Sequence, residues 1–217
     1  MSDLPSDAPE LPEAPATAAR LGDRLPALTA YGRLLASEGV RRGLIGPREV
    51  PRLWDRHLLN CAAMAEAVPT GARLVDVGTG AGLPGLVLAL VRSDLNVILI
   101  EPLQRRCDFL LEAIEHLQLG RRVVVKRGRA EQLPPSGGDI VTSRAVAALD
   151  QLASWCLPHV RVGGQLLAMK GQKAADELAA AGATLRRWGA DRDATLVSCG
   201  VGWIDPPVTL VRATRQR

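Results

Sequence analysis

The residues with the clearest chemical potential lie in Leu74-Val-Asp-Val-Gly-Thr-Gly-Ala-Gly-Leu-Pro-Gly85. Glycine permits positive φ and lets a backbone approach a ligand closely. Gly80 to Gly85 matches the GxGxxG spacing, so a nicotinamide or flavin dinucleotide is one candidate ligand. Asp76, two residues before Gly78, argues for another. Pyrophosphate sits on helix N–H groups and is disfavoured by a nearby anion. S-adenosylmethionine has no phosphate and carries a sulfonium and an ammonium, so an acid beside the loop suits it. Glu101 lies 19 residues beyond Gly82. It ends the next strand, where a carboxylate accepts both ribose hydroxyls in either cofactor class.

The elements that must position these groups follow from periodicity. Arg73–Val77 is a short apolar strand, and a helix runs from the glycine turn to about Arg92. Strands are expected at 96–100, 123–126, 139–142 and 165–169, with helices at 103–117, 149–157 and 174–181 between or after them. Strands alternating with helices give a doubly wound, Rossmann-like α/β sheet that is mostly parallel. Two further strands, 195–199 and 208–213, are joined without a helix and predict an antiparallel C-terminal strand. Ligands in such a sheet bind at the carboxyl ends of the strands near the topological switch point. Upstream, residues 20–70 have helical spacing, divided at Gly43–Pro47. Residues 1–19, with Pro5, Pro9, Pro12 and Pro15 among acids and alanines, read as a disordered tail. The expected division is therefore 1–19, 20–70 and a domain over 71–217.

Charge is uneven. Net charge is +4 over 217 residues, yet residues 1–20 hold four acids and one base, so the rest of the chain carries +7. Nearly all the cations are Arg, which is compatible with an anionic partner. Arg121, Arg122, Lys126, Arg127 and Arg129 form a run with no acid between them. Lys126, Arg127 and Arg129 should border the crevice, whereas Arg121 and Arg122 lie at the other end of their strand. Arg144 and Lys170 follow the fourth and fifth strands and are expected in the same crevice as Asp76 and Glu101. Four cysteines and three histidines are scattered, which predicts no metal site and no disulfide framework. The four tryptophans form no interleaved stacking platform. No apolar run approaches the ~18 residues of a membrane span, and no signal-peptide pattern opens the chain, so a cytoplasmic protein is expected.

The sequence resembles the class I methyltransferases, and more narrowly the RsmG (GidB) family of bacterial 16S rRNA guanine-N7 methyltransferases. The motifs that carry the resemblance are Asp76-Val-Gly-Thr-Gly-Ala-Gly-Leu-Pro-Gly85, Arg56-His57, Gly128-Arg-Ala-Glu131, Ser143-Arg-Ala145 and Lys170-Gly171, in family order. Asn60-Cys61 departs from the Asp-Ser found in many members. The resemblance implies S-adenosylmethionine as cofactor, contacted by Gly78 and Leu83, with Ala130 and Glu131 bracketing the adenine. It also implies that Arg144 sits where cofactor and substrate meet. The substrate it implies is the guanine numbered 527, in the 530 loop of 16S rRNA. The partner is then the small ribosomal subunit or its precursor, and the enzyme is expected to be a monomer.

Guanine N7 has an exposed lone pair, so its methylation needs positioning rather than a general base. No Asn/Asp-Pro-Pro-Tyr/Phe motif and no Pro-Cys nucleophile is present. Arg144 or Lys170 is expected to hold O6 or a phosphate and leave N7 free. The alternative for each is an internal salt bridge to Asp76 or Glu101. Arg129 is read as an RNA phosphate contact. Arg56 and His57 could either pack the N-terminal helices or touch RNA. Another RNA or small-molecule methyltransferase, or a dinucleotide oxidoreductase, are the competing functions.

Overall fold

A computed structural model describes residues 9–144 and 147–217. The motif residue Ala145 lies outside them. The chain opens with a 3₁₀ segment, Ala16–Arg24, then α1 (Leu25–Leu34) with a π turn at Leu35–Gly39. Pro47–Arg52 is a 3₁₀ turn, continued by a π-helical stretch Leu53–Leu59, α2 (Asn60–Ala63) and a further 3₁₀ turn. The sheet region follows as β1 (Arg73–Val77), α3 (Gly85–Val91), β2 (Asn96–Glu101), α4 (Gln104–His116), β3 (Val123–Arg127), β4 (Gly138–Arg144) and α5 (Leu149–Cys156). It ends with β5 (Val160–Lys170), α6 (Ala174–Ala180), α7 (Gly182–Arg187), β6 (Thr195–Cys199) and β7 (Val208–Thr214).

Seven strands form one sheet in the order β3-β2-β1-β4-β5-β7-β6. β1 to β5 are parallel, and β7 inserts antiparallel between β5 and β6. The order reverses between β1 and β4, so that junction is the switch point. The expected fold class, including the antiparallel C-terminal strand, is what the chain adopts.

Side chains alternate between the two faces of each strand. Leu74, Leu99, Ile140 and Leu167 face one core with α1, α3 and α4. Val75, Ile100, Val141, Leu166 and Ala168 face the other with α5 and α7. All seven residues of α3 are buried, because the helix is covered by the sheet below and by α1 and α2 above. A helix apolar all round must be enclosed in this way. The N-terminal helices therefore share a core with the sheet.

The disordered tail expected over 1–19 is corrected for its described part. Ala18 is fully buried, Leu11 packs on the first core, and the Trp54 indole Nε1 donates to the Pro12 carbonyl at 2.9 Å. Prolines limit the entropy lost when an extended segment is laid along a surface. Residues 9–15 form a surface strap anchored by Trp54 and the first core. No helix among the described residues is long and apolar enough to cross a membrane.

Candidate functional site: a glycine loop and a substrate cleft

The loop between β1 and α3 is held by hydrogen bonds to the end of β2 and within itself. Gly78 and Thr79 donate from backbone N–H to the Ile100 carbonyl at 2.9 and 3.2 Å, and Gly80 N–H donates to Glu101 Oε2 at 3.0 Å. Gly82 and Leu83 donate to the Thr79 carbonyl. Gly78, Gly80 and Gly82 all have positive φ, which lets the loop double back under itself. A phosphate cradle needs free, convergent N–H groups. Here those N–H groups are already engaged, which weighs against pyrophosphate on the geometry of the loop itself.

Asp76 takes a different place from the expected one. It is fully buried on the first-core face, and its Oδ2 accepts from Thr79 Oγ1 at 2.6 Å and from Gly85 N–H at 2.8 Å. Oδ1 has no hydrogen-bond partner. Burial pushes the carboxyl up to about 7. Asp76 thus staples the loop to α3. Gly85 is what permits the staple, since a Cβ there would lie 2.8 Å from Asp76 Oδ2 and 2.4 Å from Leu99 Cδ2. Neither Thr79 nor Tyr31 was singled out from sequence. Tyr31 reaches from α1 to the Ala81 carbonyl, and a Cβ on Gly82 would lie 2.9 Å from its hydroxyl.

Beside the loop is a cavity of about 310 Å³ over the ends of β1, β2 and β3. Gly78, Glu101, Arg129, Ala130 and Glu131 line it, as do Arg106 and Trp155. Of the other expected cofactor contacts, Asp76, Gly80, Gly82 and Leu83 do not line it, because Asp76 is turned into the first core and the glycine turn folds back on its own backbone. Glu101 is almost fully buried, accepts from Leu103 N–H at 3.0 Å and lies 3.5 Å from Arg106 Nη1. His159 fixes the wall opposite. Its Nε2 lies 2.9 Å from the Ala130 carbonyl and its Nδ1 3.1 Å from Ser136 Oγ. A carbonyl only accepts, so Nε2 carries the proton and Nδ1 accepts from the serine. Burial lowers the His159 pKa, in keeping with that neutral form. The cavity size, the carboxylate at the end of β2 and the indole wall fit an adenosine group.

A second, larger cleft of about 640 Å³ opens on the other side of the switch point. Glu49, Arg56, His57, Asn60, Arg144 and Lys170 are among its walls. Arg144 Nη1 lies 3.0 Å from His57 Nδ1, and His57 Nε2 lies 2.9 Å from Glu49 Oε2. Arg144 stands on the same face of β4 as Ile140 and Thr142, which points it at the N-terminal helices. Lys170 stands on the opposite face, in step with Leu166 and Ala168. Its Nζ donates to Glu177 Oε2 at 2.8 Å and to the Ala147 carbonyl at 2.7 Å, and the side chain is 5% exposed. The expectation that Lys170 presents its ammonium to substrate is thereby corrected. The internal partner it does find is Glu177, not Asp76 or Glu101.

The cations expected around one crevice fall into two groups. Arg56, His57 and Arg144 surround the large cleft. Lys126, Arg127 and Arg129 stand at the end of β3, on the far side of the adenosine-sized cavity. Arg127 donates to Gln104 Oε1, and Arg129 is 3.9 Å from Glu131. Arg122 turns inward to the Leu95 carbonyl at 3.3 Å.

Comparison with known proteins gives the family and the fold. Residues 24–197 match the GidB family model, described as rRNA small subunit methyltransferase G. The chain is 55% identical over 222 residues to the ribosomal RNA small subunit methyltransferase G of Salinispora arenicola, covering 98% of this chain and 91% of that protein. It is 52% identical over 212 residues to that of Streptomyces coelicolor, covering 95% and 87%. Among solved structures, the S-adenosylmethionine-dependent methyltransferase SibL superposes with a TM-score of 0.62 at 18% identity, over 93% of this chain and 70% of SibL. M. jannaschii TYW2 in complex with AdoMet gives 0.59 at 16% identity, over 76% and 78%. The chain belongs to the ribosomal RNA small subunit methyltransferase G family.

Proposed function

We propose that this enzyme transfers the methyl group of S-adenosylmethionine to N7 of a guanine in 16S rRNA, at the position numbered 527. The observation that carries the reading is Arg144. Its guanidinium is braced by His57 at the end of β4, in a cleft on the other side of the switch point from the adenosine-sized cavity.

The cofactor, when bound, supplies an electrophilic methyl on a sulfonium. Gly78, Glu101, Ala130 and Glu131 would hold its adenosine end, and Asp76, where ionised, would favour its positive charges. Guanine N7 attacks with its own lone pair, so no side chain has to remove a proton. Arg144 donates to O6, the acceptor next to N7, and so aims the base without blocking the nucleophile. Alignment of this kind supplies roughly 7–11 kcal/mol of barrier lowering where it is complete. Arg56 on one flank and Lys126, Arg127 and Arg129 on the other meet phosphates of the surrounding RNA.

The test is methylation of small subunits and of free 16S rRNA with labelled S-adenosylmethionine. Borohydride and aniline treatment followed by primer extension then locates N7-methylguanine. A new stop at guanine 527 is expected. Label elsewhere, or none, overturns the reading.

A further inference from the structure

Glu49 is an acid in the wall of a cleft that must admit a polyanion. It sits on the 3₁₀ turn Pro47–Arg52, and its side chain is 33% exposed. Arginine only donates, so the Arg144–His57 contact requires a lone pair on His57 Nδ1. The ring proton is then on Nε2 and is donated to Glu49 Oε2. The Glu49 carboxyl is accordingly held below its usual range, first by that bond from His57. One donor satisfies only part of a carboxylate, which has about four acceptor positions. Arg56 and Arg52 stand off Oε1 at 3.8 and 4.0 Å, beyond hydrogen-bonding distance. Glu49 is therefore an ionised acceptor with capacity left over, facing the substrate.

We propose that Glu49 accepts N1–H and the N2 amino group of the target guanine and is the residue that selects guanine over other bases. This rests on the guanine-N7 reading above. Phosphates and carbonyl oxygens are repelled by a carboxylate, so an acid in this wall is complementary only to donors. Guanine alone among the four bases presents two adjacent donors on one edge. Adenine places a lone pair at N1, and cytosine places one at N3. Uracil flanks its single N–H with two carbonyls. Guanine also places O6 beside N1, and N7 beyond O6. Arg144 and Glu49 stand on opposite nitrogens of one imidazole, so a donor and an acceptor are held at a fixed spacing along that same order. With Arg144 on O6 and Glu49 on N1 and N2, N7 is left facing the methyl.

The test replaces the target guanosine by inosine, which lacks only the N2 amino group, in reconstituted small subunits. Wild type on guanosine is read first. No N7-methylguanine there overturns the function reading, and this inference with it. With guanosine methylated, wild type should lose about tenfold to 100-fold in kcat/KM on inosine, the scale of a hydrogen bond to a charged group. Glu49→Gln should lose rate on guanosine yet distinguish the two bases by less than about threefold. A role confined to bracing His57 predicts the same loss on both bases, and an undiminished inosine penalty in Glu49→Gln overturns the proposal. Should that variant be inactive on both, Glu49→Asp is read in its place. Its carboxylate is one methylene shorter and falls back from the base, so a smaller inosine penalty than in wild type supports the proposal and an undiminished one overturns it.

Discussion

Tyr31 Oη donates to the Ala81 carbonyl at 2.5 Å, 50 residues away in sequence. The contact ties α1 to the centre of the glycine loop, so the N-terminal helices brace that loop. Tyr31 is the only tyrosine in the chain and is fully buried. Tyr31→Phe keeps the ring and strands the carbonyl, which should cost about 1–3 kcal/mol of stability. Because the stranded group lies in the loop, S-adenosylmethionine affinity should fall with it, by roughly three- to tenfold if about 1 kcal/mol is lost at the site. Urea unfolding and calorimetry read the two effects. Lost stability with unchanged affinity would show that the loop does not depend on α1.

Asp76 makes stability depend on pH. Burial raises its carboxyl to about 7 in the folded protein, against ~3.9 in an unfolded chain. The folded state therefore holds the proton more tightly, and stability is lost as pH rises from about 4 through about 7. Asn at this position does not titrate. Asp76→Asn should be shifted in its own favour across that window, by up to about 4 kcal/mol, and run parallel to wild type above it. Unfolding free energies at pH 4 to 8 check this, and parallel curves throughout would remove the buried-carboxyl account.

The His57 pKa is lowered on balance, although Glu49 on its Nε2 pulls the other way. Burial comes first among the causes that lower its pKa, and the Arg144 charge adds to it. A proton on Nδ1 would face the guanidinium and release Arg144 from its brace. Methyl transfer should therefore fall on the acid side of pH 6.5, with the limb placed below the ordinary histidine value because the folded pKa is lowered. The structural contribution of neutral His57 is lost in the same direction, as pH falls. His57→Asn should be slower at pH 7.5 but flat through that limb. A pH profile of kcat/KM separates the cases, and an unchanged acid limb in the variant assigns it to another group.

How much was legible in the sequence depends on the kind of signal. The loop, Glu101 and the Ala130-Glu131 turn are local motifs at strand ends, and strand order alone brings them together. Arg144 and Lys170 were placed at the right strand ends but on one side, whereas Arg144 pairs in register with Met169. Lys170 is one residue further on, so its side chain leaves by the other face. Counting alternate residues back along each strand carries that information, from Ile140 to Arg144 and from Leu166 to Lys170. Tyr31, Thr79 and Glu49 had no comparable signal. Tyr31 reaches a carbonyl 50 residues away and Glu49 acts through the His57 ring, so tertiary packing brings these two to their places, whereas Thr79 bonds Asp76 three residues back and is marked only by its position inside the loop. The strap at 9–15 reads as disordered because proline and acid dominate its composition, whereas its anchors, Trp54 and the first core, lie far off in sequence.

Lys170 and Arg144 should accordingly fail in different ways. Lys170 Nζ is buried against Glu177 and the Ala147 carbonyl, and Glu177 Oε2 also accepts from Leu149 N–H at 2.9 Å. The lysine thus joins the end of β5 to the starts of α5 and α6. Breaking a fully buried pair costs about 3–5 kcal/mol. Glu177 retains 28% exposure, so Lys170→Met should lose less, about 1–3 kcal/mol. Adding Glu177→Leu removes the uncompensated charge and should return part of that loss. Arg144 ends a strand at the rim of the cleft, and Arg144→Ala should leave stability within about 1 kcal/mol. Its methyl transfer should drop by about 10²-fold or more through misplacement of the base. Chemical denaturation and single-turnover rates on the same four proteins decide the assignment. Lost turnover in Lys170→Met at unchanged stability would return that ammonium to the substrate.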